Sequence, residues 1–297
     1  MFRGCFVALV TPFRDGSIDL KALEELVEYT IAGGVSGLVP CGTTGEAPTL
    51  SAEEHQAVVA AVVKRATGRV PVVAGAGTNA TDKTVAASRA ALRAGANGLM
   101  LVAPYYNKPN QRGLYQHFSE VARAVDAPIM LYNIPGRSGV EISAETIARL
   151  HEDHANIVAV KHATGSIDGA SRLALMSDIA ILSGDDSLAL PLISVGAVGL
   201  VSVVANLWPH EVSSLVGAAL AGDMKTARTW HHRLFPVARN MLKLDTNPIP
   251  IKTALAMSGM IAEEFRLPMC PMEPENRERL RTLLEPRAEH AAARQSA

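Results

Sequence analysis

Cysteine is scarce in this 297-residue chain. Cys5, Cys41 and Cys270 are odd in number, far apart and without a Cys-x-x-Cys pair. That argues against a disulfide framework and a thiolate zinc site, and for a reducing cytoplasm. An excess of either charge is also missing. Lysine and arginine total 28, aspartate and glutamate 29, for a formal net charge of -1, and no basic block stands out. Nucleic acid and anionic membrane are therefore not expected as partners. The longest apolar stretch, around Val195 to Ala205, is interrupted by glycine and serine and is too short to span a bilayer. The opening Met1-Phe2-Arg3-Gly4 runs straight into an apolar strand pattern, without the features of a signal peptide. Histidines and carboxylates do not cluster as a metal-dependent reaction would need, so no metal is expected.

Hydrophobic residues make up 48% of the chain, enough for a sizeable core, and their arrangement is regular. Strand-like runs at 5–13, 36–41, 70–74, 98–103, 128–131, 157–161, 179–182 and 199–204 alternate with helical patterns. Asp19 offers an N-cap to the first helix, and Ser51 with Glu54 a capping box to the next. About eight strands alternating with helices predict an α/β fold, a (β/α)₈ TIM barrel over residues 1–208. Residues 209–297 read as a C-terminal helical extension, with a polar, alanine-rich tail beyond Glu289 that is expected to fray.

Polar and glycine-rich clusters fall just after the strands, on the face where barrel loops build active sites. The centre of the pattern is Ile157-Val158-Ala159-Val160-Lys161-His162. A lone lysine at a strand end more often reaches into water, but one held in a dry setting favours its neutral, nucleophilic form. Around it the strand ends supply Thr43, Thr44, Tyr106, Tyr132, Arg137 and Gly184. Three of only five tyrosines, Tyr105, Tyr106 and Tyr132, lie in these expected loops. A tyrosine can shuttle a proton, a threonine can relay one, and the Gly42-Thr43-Thr44-Gly45 turn can cradle a carboxylate with its N–H groups. Asp185-Asp186 after the seventh strand would repel a phosphate. His162 points to the opposite face from Lys161 and reads as packed, whereas His151, His154, His231 and His232 read as solvated.

GTTGE at Gly42 to Glu46, PYYNKP at Pro104 to Pro109, YNIPGRSG at Tyr132 to Gly139, VKHATG at Val160 to Gly165 and SGDD at Ser183 to Asp186 follow in order. From Cys5 to about Leu284 the chain resembles the 4-hydroxy-tetrahydrodipicolinate synthase (dihydrodipicolinate synthase) family. That family sits among the pyruvate-dependent class I aldolases with N-acetylneuraminate lyase. The resemblance implies that Lys161 forms a Schiff base with pyruvate and that Tyr132 donates and accepts protons. It implies that Thr44 and Tyr106 complete the relay beside Thr43, and that Val201 contacts pyruvate through its backbone. Gly184 joins Thr44, Val201 and Arg137 in the expected substrate site.

The implied partners are pyruvate and L-aspartate 4-semialdehyde, with no cofactor. The implied assembly is a homotetramer of tight dimers in which Tyr105 enters the neighbour's site. Arg137, suited to bidentate capture of a carboxylate, separates this reading from a sugar-acid aldolase. The intact relay argues against a barrel that only senses a keto acid. Two positions depart from the pattern: His162 replaces an acidic residue common in the family, and the residues that hold an inhibitory L-lysine match in part. Asn79, Tyr105 and His55 agree with those, whereas Ala52 stands for a histidine and Lys83 for a glutamate.

Overall fold

Within a few residues of its apolar run, every expected strand forms in the computed structural model. It describes residues 1–295, with side chains described to Glu285; the tail beyond Glu289 falls outside the residues whose side chains are described. The barrel strands are β1 (Gly4–Ala8), β2 (Gly37–Val39), β3 (Val73–Gly75), β4 (Gly98–Val102), β5 (Ile129–Asn133), β6 (Ile157–His162), β7 (Ala180–Ser183) and β8 (Gly199–Ser202). They pair in parallel in the order β2-β1-β8-β7-β6-β5-β4-β3. A parallel bridge from Leu38 to Val72 joins the two ends and closes the ring. Past Ala8 the Leu9 N–H still donates to Val39 O at 3.1 Å, but the Val10 N–H leaves the ladder for Asn206 Oδ1 at 3.1 Å. Beyond it, Phe13–Arg14 and Ser17–Ile18 make a small antiparallel hairpin over Asp15 and Gly16, both at positive φ, as a tight two-residue turn requires.

The outer helices are α1 (Leu20–Ala32), α2 (Ala52–Ala66), α3 (Thr81–Arg93), α4 (Gln111–Ala124), α5 (Ala144–Asp153), α6 (Ile167–Met176), α7 (Ala189–Ser194) and α8 (Pro209–Leu220). Asp19 accepts from Ala22 N–H at the head of α1, and Ser51 and Glu54 form the full capping box on α2, as their spacing predicts. Helix α8 packs on β1, β8 and α1. It therefore takes the eighth place in the ring of helices, although the sequence pattern sets it with the extension. Helices α9 (Met224–Leu244), α10 (Ile249–Met257) and α11 (Pro274–Gln295) follow. Every residue of α10 from Ile249 to Leu255 is buried.

Strand alternation sorts the core into two clusters. Phe2, Phe6, Ala8, Val39, Val73, Met100, Met130, Tyr132, Ala159, Leu182 and Val201 fill the barrel. Their neighbours one residue away, such as Val7, Leu38, Leu131 and Val160, pack outward against the helices. The period of two thus decides which side chains can reach the barrel axis. Lys161 shares the parity of Ala159 and points in.

Candidate active site

Lys161 is 4% exposed, one residue before the end of β6, and its strand partner on β5 is Tyr132. Their side chains meet inside the barrel, with Lys161 Nζ 4.1 Å from the centre of the Tyr132 ring. Tyr132, expected in a loop, is therefore a strand residue, and the ladder fixes its aim. Gly184 follows β7 and donates its N–H to His162 O at 2.8 Å. A Cβ there would lie 2.6 Å from Ala163 Cβ and 3.2 Å from Lys161 Cε, so only glycine leaves the lysine its path. Val201, on β8, is fully buried in the same interior cluster. Burial pushes the Asp185 carboxyl up, and the nearby Lys161 ammonium partly opposes that. Burial also raises Asp186, whose carboxylate receives the Ser202 hydroxyl and the N–H groups of Val203 (3.0 Å) and Val204 (3.4 Å). That carboxylate holds the end of β8.

The GTTGE segment closes on itself after β2. Gly45 N–H donates to Gly42 O and Glu46 N–H to Thr43 O, both at 3.1 Å, so these two N–H groups are not free to hold an anion. Thr44 is buried and its Oγ1 accepts from Asn247 Nδ2 at 3.0 Å. Glu46, in the left-handed region at φ +52°, sends its carboxylate to Lys252 Nζ at 2.5 Å and accepts Arg266 N–H at 3.2 Å. Neither Asn247 nor Lys252 stands out in the sequence. The one local signal is the Asn247-Pro248 dipeptide, which marks a turn between two helical stretches.

A cavity of about 280 Å³ opens beside this turn, lined among others by Thr43, His55, Tyr105, Tyr132, Arg137 and Met100. Lys161 and Thr44 are outside that lining. Arg137 sits in the turn after β5, exposed, and its Nη2 donates to Asn247 O at 2.9 Å. The turn is steadied from behind by Asn133, which donates to Ile142 O at 2.9 Å and accepts its N–H at 3.0 Å.

The two neighbouring tyrosines differ in their surroundings. Tyr105 lines the cavity of its own chain, while Tyr106 is 89% exposed at φ +73°. Tyr106 is outside the lining of that cavity. His55 Nε2 is 2.7 Å from Gly75 O, Asn79 O accepts from Asn107 Nδ2 at 2.8 Å, and Ala52 and Lys83 are exposed on α2 and α3.

His162 packs outward as its parity predicts, its Nε2 2.9 Å from both Ser166 O and Thr164 Oγ1. His151 and His154 are half-buried rather than solvated. His151 Nδ1 is 2.6 Å from Ile157 O, and His154 Nε2 is 2.8 Å from Ser119 Oγ, so both tie helix α5 to its neighbours.

A parallel eight-stranded barrel with a buried lysine facing a tyrosine near the C-terminal ends of adjacent strands has the build of a Schiff-base-forming barrel enzyme. The model of the dihydrodipicolinate synthetase family matches residues 1–287. The chain belongs to that family, and it is an enzyme. It is 50% identical over 279 residues to a 4-hydroxy-tetrahydrodipicolinate synthase from Pelobacter propionicus, covering 93% of this chain and 96% of the relative. It is 47% identical to the crystal structure of dihydrodipicolinate synthase from Aquifex aeolicus, with a TM-score of 0.95 over 97% of this chain and 98% of that one. The crystal structure of the chloride-inhibited enzyme from Acinetobacter baumannii, complexed with pyruvate, is 43% identical with a TM-score of 0.93, covering 96% and 98%.

Proposed function

We propose that the chain condenses pyruvate with L-aspartate 4-semialdehyde to 4-hydroxy-tetrahydrodipicolinate, serving lysine and diaminopimelate biosynthesis in the cytoplasm. Lys161 Nζ attacks the ketone of pyruvate, water leaves, and an imine forms. Loss of a methyl proton gives an enamine whose carbon attacks the aldehyde; the amine of the aldehyde substrate then adds to the imine carbon, closing the ring and expelling Lys161 as the free amine. Tyr132, over whose ring Lys161 Nζ lies, and Thr44 carry protons in these steps. The pyruvate carboxylate meets the N–H groups of Thr43 and Thr44, which the turn's own hydrogen bonds leave unused. Val201 and Gly184 shape the pocket behind the imine. Arg137 holds the carboxylate of the aldehyde, which favours this substrate over a sugar acid.

The assembly is a tetramer of tight dimers, and exposed Tyr106, rather than Tyr105, is the residue a second copy delivers to the relay. The observation that carries the reading is the burial of Lys161 inside the barrel against Tyr132. Borohydride reduction with pyruvate, read by intact mass and peptide mapping, should place one adduct on Lys161. A panel of aldehydes then identifies the second substrate. An adduct on Lys108 or Lys252 overturns the assignment.

A further inference from the structure

Two residues at the head of one helix hold two residues of the catalytic turn. Asn247, which with Pro248 precedes α10, donates from its side chain to Thr44 Oγ1, and Lys252 within α10 pairs with Glu46. The main-chain carbonyl of Asn247 also receives Arg137 Nη2 at 2.9 Å. The Oδ1 atom of Asn247 is buried and has no hydrogen-bond partner among the described residues. A hydroxyl oxygen that accepts from an amide keeps its own hydrogen to give elsewhere. With Glu46 pinned two residues on, the Thr44 backbone has little room to compensate if that donor is lost.

We infer that Asn247 is a positioning residue for the condensation: its amide turns the Thr44 hydroxyl so that the hydrogen points away from α10 and stays available to the proton relay. Its carbonyl fixes the reach of Arg137 independently of its side chain. The inference rests on the proposed imine chemistry and goes beyond it by naming what sets the direction of the relay.

The test is exchange of the pyruvate methyl hydrogens in heavy water, followed by mass or proton resonance in the absence of aldehyde. This reads enamine formation and is blind to Arg137, whose proposed partner is the aldehyde. Asn247→Ala removes the donor and should slow exchange about tenfold, a fraction of what a positioned proton carrier contributes. Asn247→Asp keeps size and shape but offers an acceptor, so the Thr44 hydrogen turns back toward it. Exchange should then be slower still than in Asn247→Ala. A role in packing alone predicts the reverse order, because the near-isosteric Asp disturbs packing least. Exchange by Asn247→Asp at the wild-type rate, or faster than by Asn247→Ala, overturns the inference, and Asn247→Asp alone decides it if Asn247→Ala does not fold. Wild-type protein that fails to exchange at all would instead overturn the imine reading on which the inference stands.

Discussion

Replacing Lys252 with methionine should destabilise the protein severely although the new side chain is apolar and similar in length. The side chains of Lys252 and Glu46 are 0% and 1% exposed, with Nζ and Oε1 2.5 Å apart. The ammonium lies 4.3 Å from the centre of the Phe13 ring and 5.0 Å from that of Phe265, so the pair sits in an aromatic enclosure without solvent. Burial pushes Lys252 down from its ordinary value, and the Glu46 carboxylate works against that. Among the described residues, removing the cation leaves Glu46 with the N–H of Arg266 as its remaining hydrogen-bond donor. Stranding one member of such a pair costs about 3–5 kcal/mol, whereas replacing both with neutral groups of similar shape is often close to neutral. Lys252→Met should therefore lower stability by about 4 kcal/mol, and Glu46→Gln with Lys252→Met should return most of it. Urea unfolding followed by circular dichroism, at fixed protein concentration because assembly shifts the midpoint, measures the cycle. A loss below about 1 kcal/mol in Lys252→Met, or a double variant no more stable than the single, would refute the argument that the lone buried charge is what costs.

Arg137→Ala should lower kcat/KM for the aldehyde by one to two orders of magnitude, the loss of a charge-assisted contact of about 1.5–3 kcal/mol, while pyruvate trapping on Lys161 persists; an equal fall in trapping would place Arg137 at the imine instead. Burial pulls His117 down from 6.5 to about 4, with Thr81 Oγ1 2.9 Å from its Nδ1. As pH falls from 6.5 the unfolded chain takes up a proton that the folded chain refuses. Its contribution is thus complete above pH 6.5 and shrinks toward pH 4, by up to about 3 kcal/mol. Urea midpoints at pH 7 and 4.5 should converge in His117→Asn relative to wild type. L-Lysine should inhibit weakly or not at all, because Lys83 would set an ammonium against the effector's own. Half-inhibition below the millimolar range in initial rates would contradict this, and Ala52→His with Lys83→Glu should restore partial sensitivity.

The barrel and the inward aim of Lys161 are legible from local rules. Buried parallel strands read as apolar runs, capping residues mark where helices begin, and the alternation of strand side chains already points Lys161 inward with Ala159 and His162 outward. Tyr132 belongs to β5 because its neighbour β6 extends pairing to Asn133 and His162, a fact of two strands and not of one. Tyr105 and Tyr106 are adjacent and chemically alike, and only the folded chain decides which lines the cavity and which is exposed. Asn247 and Lys252 reach the catalytic turn across 203 and 206 residues of sequence. No periodicity or spacing encodes such contacts; they arise when helix α10 is buried and its head is brought against the turn after β2. What the sequence by itself determined is therefore the alternation of barrel strands and helices and the face most of them bury, since these follow from solvation and sterics within a few residues. The partners of Thr44, Glu46 and Arg137 were decided only by tertiary packing, because a hydrogen bond needs its donor within about 3 Å and the folded chain alone sets that distance.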